Sequence, residues 1–235
     1  MARRNNWTLK DKIAFVTGGS RGLGYACVEE FLNLEAHVVF CARTTDDVVK
    51  AEEELKKRGY YGKIKGITCD VTKEEERIAL KAQIAEFCQS IPGRKGQAPT
   101  LDFLINNVGS NIRMPTENYS LDQMKQVFAT NWETCFRITQ LCFDLLSHRN
   151  PQEAEEFKAF EHPDSIRIPS YSAIVNISSV AAGPKAMNSG APYAATKAAM
   201  NQFTRSTACE WAKFNIRVNS VSPWYTRTDL ANQVL

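Results

Sequence analysis

Ile13-Ala-Phe-Val16 runs directly into Thr17-Gly-Gly-Ser-Arg-Gly-Leu-Gly24, and Tyr25 to Leu34 follows with apolar residues at helical spacing. A short apolar run closed by glycines reads as a buried strand, and a 3.6-residue period reads as a helix. Gly18, Gly22 and Gly24 thus form a GxxxGxG turn between the first strand and the first helix. Glycine there permits a tight turn and lets the backbone approach a pyrophosphate closely. The amino end of the following helix adds amide donors and a favourable dipole. Candidate contacts in this turn are Gly18, Ser20, Arg21, Gly22, Leu23 and Gly24. Glycines alone also suit an ordinary loop, but their place after the first strand of an alternating chain points to a nucleotide.

The alternation continues outward from that turn. His37-Val-Val-Phe-Cys41, residues 63–69, Leu101-Asp-Phe-Leu-Ile105, Ala173-Ile-Val-Asn-Ile177 and Arg217-Val-Asn-Ser-Val221 read as five further strands. Between them lie helical stretches over 46–58, 72–90, 120–148 (in one or two pieces) and 191–213. Thr72-Lys-Glu-Glu75 and Ser120-Leu-Asp-Gln123 have the spacing of capping boxes that open two of these helices. Strands alternating with helices imply an α/β fold, a doubly wound parallel sheet covered on both faces. Two stretches break the rhythm: a polar loop over 92–99 and a Pro-containing insertion over 149–172. Neither reads as a domain boundary, so residues 1–235 fit one dinucleotide-binding domain.

Composition excludes several classes of function. The net charge of +3 is too small to argue for nucleic acid, and no basic patch is interleaved with aromatics. No run approaches the roughly 20 apolar residues that a membrane span needs. Met-Ala-Arg-Arg-Asn-Asn-Trp7 is not followed by an apolar segment, which argues against a secretory signal. Seven scattered cysteines without a CxxC suit buried free thiols in a reducing compartment, with cytoplasm the default.

Cofactor choice follows from charge. An NAD site presents a carboxylate near the tip of the second strand. Here that strand ends Phe40-Cys41-Ala42-Arg43, and Arg21 lies in the glycine turn. Two guanidiniums suit a 2′-phosphate, hence NADP, and equally describe two solvated arginines. Asp70-Val71 ends the third strand, where Asp70 suits either the adenine amino group or a cap before the next helix. Asn106-Asn-Val108-Gly109 ends the fourth strand, as a cofactor floor or as a plain turn. Pro223-Trp-Tyr-Thr226-Arg-Thr228 follows the sixth strand and suits a nicotinamide contact.

Tyr193 and Lys197 stand four residues apart, on one face of a helix. As a rule, a cation beside a phenol favours the phenolate and lowers a reference pKa near ~10. That suits proton transfer at neutral pH. Tyr61 and Lys65 have the same spacing, but they lie at a helix-to-strand loop without a serine-bearing strand upstream. The pair at 193 and 197 follows Ile177-Ser-Ser-Val180, where a serine hydroxyl can reach a carbonyl oxygen or merely cap a helix.

In this order and together, these motifs resemble the short-chain dehydrogenase/reductase family from Trp7 to Leu235. Asn-Ile-Ser-Ser179 and Pro-Trp-Tyr-Thr-Arg-Thr228 resemble its tropinone reductase-like branch. The resemblance implies a catalytic set of Asn131, Ser179 (rather than Ser178), Tyr193 and Lys197. It implies that Asn131 holds a water, that Lys197 also binds the nicotinamide ribose, and that Thr228 contacts the carboxamide. It further implies NADPH-linked reduction of a small carbonyl substrate to an alcohol, and a homo-oligomer, dimer or tetramer. Val108 stands where the family usually has alanine, and Trp224 where glycine is common. Family members continue beyond this chain's last residue through a substrate-covering helix and a seventh strand. The second expectation is therefore a shortened nucleotide-binding protein without catalysis.

Overall fold

The structure, a computed structural model, describes residues 7–147, 172–184 and 187–226. The expected 149–172 insertion, the carboxyl-terminal stretch and Thr228 lie outside the described residues, apart from Ser172. Six strands form a single parallel sheet in the order β3-β2-β1-β4-β5-β6. They are β1 (Ile13–Thr17), β2 (His37–Ala42), β3 (Ile64–Thr68), β4 (Phe103–Asn106), β5 (Ser172–Ile177) and β6 (Ile216–Val221). The helices are α1 (Gly22–Asn33), α2 (Thr45–Lys57), α3 (Glu74–Ser90), α4 (Leu121–Phe128), α5 (Thr134–Leu141), α6 (Phe143–Leu146) and α7 (Ala191–Trp211). The order reverses between β1 and β4, so a crevice opens there at the carboxyl edge, where doubly wound sheets bind ligands. Among the described residues, no helix is long and apolar enough to cross a membrane.

Burial on both faces explains why the inner strands β1 and β2 read as apolar runs, whereas the edge strands β3 and β6 are partly exposed. Ile13 and Phe15 point into one core with Leu80, Ile84 and Ile138. Ala14 and Val16 point into the other with Val28, Leu32 and Leu55. This is the two-residue alternation of a strand, with both sides dry. Phe15 and Phe40 are fully buried, each contributing about 1.5–3 kcal/mol. Burial also pushes the thiols of Cys69, Cys88, Cys135 and Cys142 up to about 12, so they stay protonated.

The amino edge of the sheet is tied by Asp102, whose side chain is 1% exposed. Its carboxylate accepts from the Ile13 amide at 2.9 Å, from Lys12 Nζ at 3.0 Å and from Arg94 Nη2 at 3.3 Å. β1, β4 and the 92–99 loop are thereby joined at the end of the sheet opposite the crevice.

One expected cap forms and one does not. Ser120 and Gln123 bond reciprocally at the start of α4. At Thr72 the capping box is absent, and α3 begins two residues later with Lys73 as its unbonded cap. Thr72 lies instead in a local turn before the helix, where Asp70 Oδ1 accepts from its hydroxyl at 2.7 Å and from its amide at 3.1 Å.

Candidate active site

The glycine turn is held from β4. Gly18 and Gly19 donate their amides to Cys41 O at 2.8 and 3.1 Å. Asn107 Nδ2 donates to Thr17 O at 2.9 Å and to Gly18 O at 3.2 Å. Thr17 Oγ1 donates to Ile105 O and accepts from the amides of Asn107 and Val108. At Gly24 the packing leaves no room: a Cβ there would stand 2.1 Å from Gly18 O. α1 opens at Gly22 with Arg21 as an extended cap and no side-chain bond to its first-turn amides. Such amides are ready donors for an anion. Ser20 and Leu23 are half-buried beside them.

Arg21 and Arg43 are both exposed at the carboxyl edge, Arg21 just after β1 and Arg43 just after the neighbouring β2. No carboxylate stands at the β2 tip. Burial works against ionisation of Asp70, yet the Thr72 hydrogen bonds and the charges of Lys73 and Arg43 hold its carboxyl below the usual range. Of the two readings for Asp70, the turn before α3 is the one its bonds display. Val71 buries its side chain in the core, and its carbonyl accepts from Thr134 Oγ1.

The side chain of Asn106 departs from expectation. It is buried and turned inward, with Nδ2 donating to Thr139 Oγ1 and Asn176 Oδ1, both at 2.8 Å. Asn176 passes the chain on to Thr204 Oγ1 at 2.9 Å. Asn107, one position later, is the residue that serves the glycine turn. Strand parity supplies the signal, because successive side chains face opposite ways.

Between α4 and α5 the helix widens into a single π turn, Ala129–Glu133. Thr134 marks it, bonding through its amide and its hydroxyl to Ala129 O. Such turns recur at functional sites. This one carries Asn131, fully buried, into the crevice. Its Oδ1 accepts from the Ser110 amide at 2.7 Å. Its Nδ2 donates to Ser110 O at 2.9 Å and to Thr196 Oγ1 at 3.1 Å. Thr196 in turn donates to the Tyr193 carbonyl at 2.7 Å.

Lys197 is 3% exposed, and its Nζ donates to Ile177 O at 2.7 Å and stands 5.8 Å from the centre of the Tyr193 ring. Burial lowers its pKa from 10.5 to about 8. The open side of Gly109 marks where Lys197 and Asn131 meet. A Cβ at that glycine would lie 3.3 Å from Lys197 Nζ and 3.4 Å from Asn131 Oδ1.

The two serines after β5 separate by environment. Ser178 is buried and bonds to Lys197 O at 3.2 Å. Ser179 is half-buried and accepts from the Ala181 amide at 3.1 Å, which leaves its own hydroxyl proton free to donate. Pro223 O accepts from the Val180 amide at 3.2 Å, bringing the segment after β6 against Ser179. Thr226 is exposed at the end of that segment. Tyr61 stands in a different setting: it is exposed with Lys10 Nζ 5.0 Å from its ring centre, and its hydroxyl donates to Asp11 at 2.8 Å, which pushes its pKa up.

Along this edge the uncapped amides of α1 lie beside the glycine turn, and Lys197 stands between Ile177 O and the Tyr193 ring with Asn131 across Gly109. Comparison with known proteins gives the same direction. The family model described as short chain dehydrogenase matches residues 12–153 and 167–235. A tropinone reductase homolog from Arabidopsis thaliana is 36% identical over 235 residues, 100% of this chain and 77% of its own length. One from Datura stramonium is 35% identical over 224 residues, 95% of this chain and 72% of its own. An actinorhodin polyketide ketoreductase variant solved with NADPH is similar at 27% identity and a TM-score of 0.75, over 95% of this chain and 74% of that one. A short chain dehydrogenase from Mycobacterium smegmatis gives 25% identity and a TM-score of 0.74, over 96% and 85%.

Proposed function

Since the chain belongs to the short chain dehydrogenase family, in its tropinone reductase-like branch, we propose that it reduces a ketone to a secondary alcohol, reversibly, with NADP(H). The family makes it an oxidoreductase acting on CH–OH groups with a nicotinamide cofactor. Preference for NADP rests on Arg21 and Arg43, two exposed cations where an NAD site needs a carboxylate. The fit of the group rests on the uncapped first turn of α1 and on the absence of space for any side chain at Gly24. When bound, the nicotinamide supplies or accepts the hydride.

The chain's own residues do the rest. Gly18, Ser20, Gly22, Leu23 and Gly24 cradle the phosphates, and Asn107 keeps the turn closed. Val108, Gly109, Pro223 and Thr226 border the nicotinamide end, with Thr228 beside them in sequence. Ser179 donates its free hydroxyl proton to the carbonyl oxygen and orients it. Tyr193 delivers a proton to that oxygen as the carbon is reduced. Lys197, with a pKa of about 8, exchanges protons near neutral pH and restores the phenol from the side where Asn131 stands.

The observation that carries this reading is the buried Lys197 ammonium, facing the Tyr193 ring and bonded to Ile177 O at the end of the strand that leads to Ser179. Tyr193→Phe is expected to abolish turnover across a ketone panel while leaving the NADPH Kd within about threefold. A variant that keeps most of its rate means that the proton comes from another group.

A further inference from the structure

Two loops border the mouth of the crevice: the segment after Gly109 that leads to α4, and the segment that leads to α7 and Tyr193. Among the described residues, a side-chain hydrogen bond joins them. Asn111 Nδ2 donates to the main-chain oxygen of Ser189 at 2.9 Å. Asn111 follows Ser110, whose amide and carbonyl are both held by Asn131. Ser189 precedes Gly190, the cap of α7, whose carbonyl accepts the Ala194 amide. Asn131 also reaches Thr196, which bonds to the Tyr193 carbonyl. The bonds therefore close a ring: Asn131, Ser110, Asn111, Ser189, the first turn of α7, Tyr193, Thr196 and back to Asn131.

The seam between the loops is tight and costly. Gly190 has φ +91°, and a Cβ there would lie 2.5 Å from Tyr119 Oη and 3.0 Å from Ile112 O. Tyr119 donates its hydroxyl to that same Ile112 carbonyl. Among the described residues, Asn111 Oδ1 and Ser189 Oγ are buried without a hydrogen-bond partner. Glycine takes this backbone without strain and leaves room for Tyr119 and Ile112, while the unsatisfied polar atoms are the cost that the seam carries.

We propose that Asn111 is a positioning residue: its amide donor locks the start of α7 against the first crevice loop and so sets where the Tyr193 phenol stands. The role rests on the assignment of Tyr193 as proton donor, but the lock itself does not. Only the donor matters in this account, because the acceptor is main chain. Asn111→Asp keeps the size and removes the donor, whereas Ser189→Ala keeps the accepting carbonyl.

Hydrogen exchange over residues 187–196 tests the lock without any substrate. In Asn111→Asp these amides are expected to exchange about tenfold faster, with β1 and β4 unchanged, while Ser189→Ala exchanges as wild type. Wild-type protection in Asn111→Asp, or equal loss in Ser189→Ala, overturns the lock. Kinetics then test the consequence: kcat for a ketone falls about tenfold or more, KM changes less, and the NADPH Kd stays within about twofold. Faster exchange with an unchanged kcat overturns the positioning role. A wild-type chain that binds NADPH and turns over no carbonyl refutes the reductase reading, and the exchange comparison still decides the lock.

Discussion

Asn131 holds Ser110 by both of its main-chain polar groups, accepting from the amide at 2.7 Å and donating to the carbonyl at 2.9 Å. A carboxamide paired this way acts like a short piece of neighbouring strand, and it fixes the loop that carries Gly109 past Lys197. The π turn, Ala129–Glu133, carries this side chain at a fully buried position.

Asn131→Ala removes three hydrogen bonds at a fully buried position and leaves Ser110 unpaired. The expected cost is about 2–4 kcal/mol in denaturant unfolding, with at least a tenfold loss of kcat. Unchanged stability would mean that Ser110 finds other partners.

Lys197 is a cost to the fold. Its pKa is lowered to about 8 from 10.5, so below pH 8 it is charged in both folded and unfolded chains and bears the full penalty of burial. Between about pH 8 and 10.5 the unfolded chain binds more protons, so stability rises with pH through that window. Lys197→Met is expected to abolish turnover and raise Tm by about 2–4 °C at pH 7. The gap to wild type should shrink as pH climbs above 8. A lower Tm for the variant at pH 7 contradicts this.

Gly24→Ala places a methyl group 2.1 Å from Gly18 O and 2.5 Å from Asn107 Nδ2. Neither can yield without opening the turn. NADPH affinity is expected to fall by about a hundredfold or more, read by fluorescence titration, on the scale of a few kcal/mol for a rearranged backbone.

Arg43→Asp restores the carboxylate that an NAD site carries at the second strand tip. NADPH binding should weaken by about 10–100-fold, the worth of a charge-assisted contact, while NADH binding holds or improves. Equal loss for both cofactors would place Arg43 away from the 2′-phosphate.

β1 and β2 were readable because they are dry on both faces, which leaves an almost unbroken apolar run. β3 and β6 lie at the edges of the sheet, are partly exposed and carry Lys65, Arg217 and Asn219, so their place in the alternation with helices did more to mark them. The Tyr193–Lys197 pair was readable for a different reason: spacing on one helix needs no knowledge of packing. Other features depend on contacts between distant segments. Thr72 has the letters of a cap, but it lies in a turn against Asp70 and α3 starts beyond Lys73. Asn106 and Asn107 look alike in a row, and only the end of β4 decides which one faces the glycine turn. No local pattern announces the π turn, since its letters, Ala-Thr-Asn-Trp-Glu, serve equally well in an ordinary helix. The hold of Asn111 on Ser189 joins positions 78 residues apart and was not legible in the letters.

The Asp102 tie lies at the opposite rim of the sheet from the chemistry. Anchoring and reactivity are therefore carried by separate ends of the same strands. Loops around the crevice can be rewritten by evolution, changing which molecules are accepted, while the clamp beneath remains as it is. Such a division lets one ancestral scaffold diversify into many catalysts without renegotiating its own integrity each time.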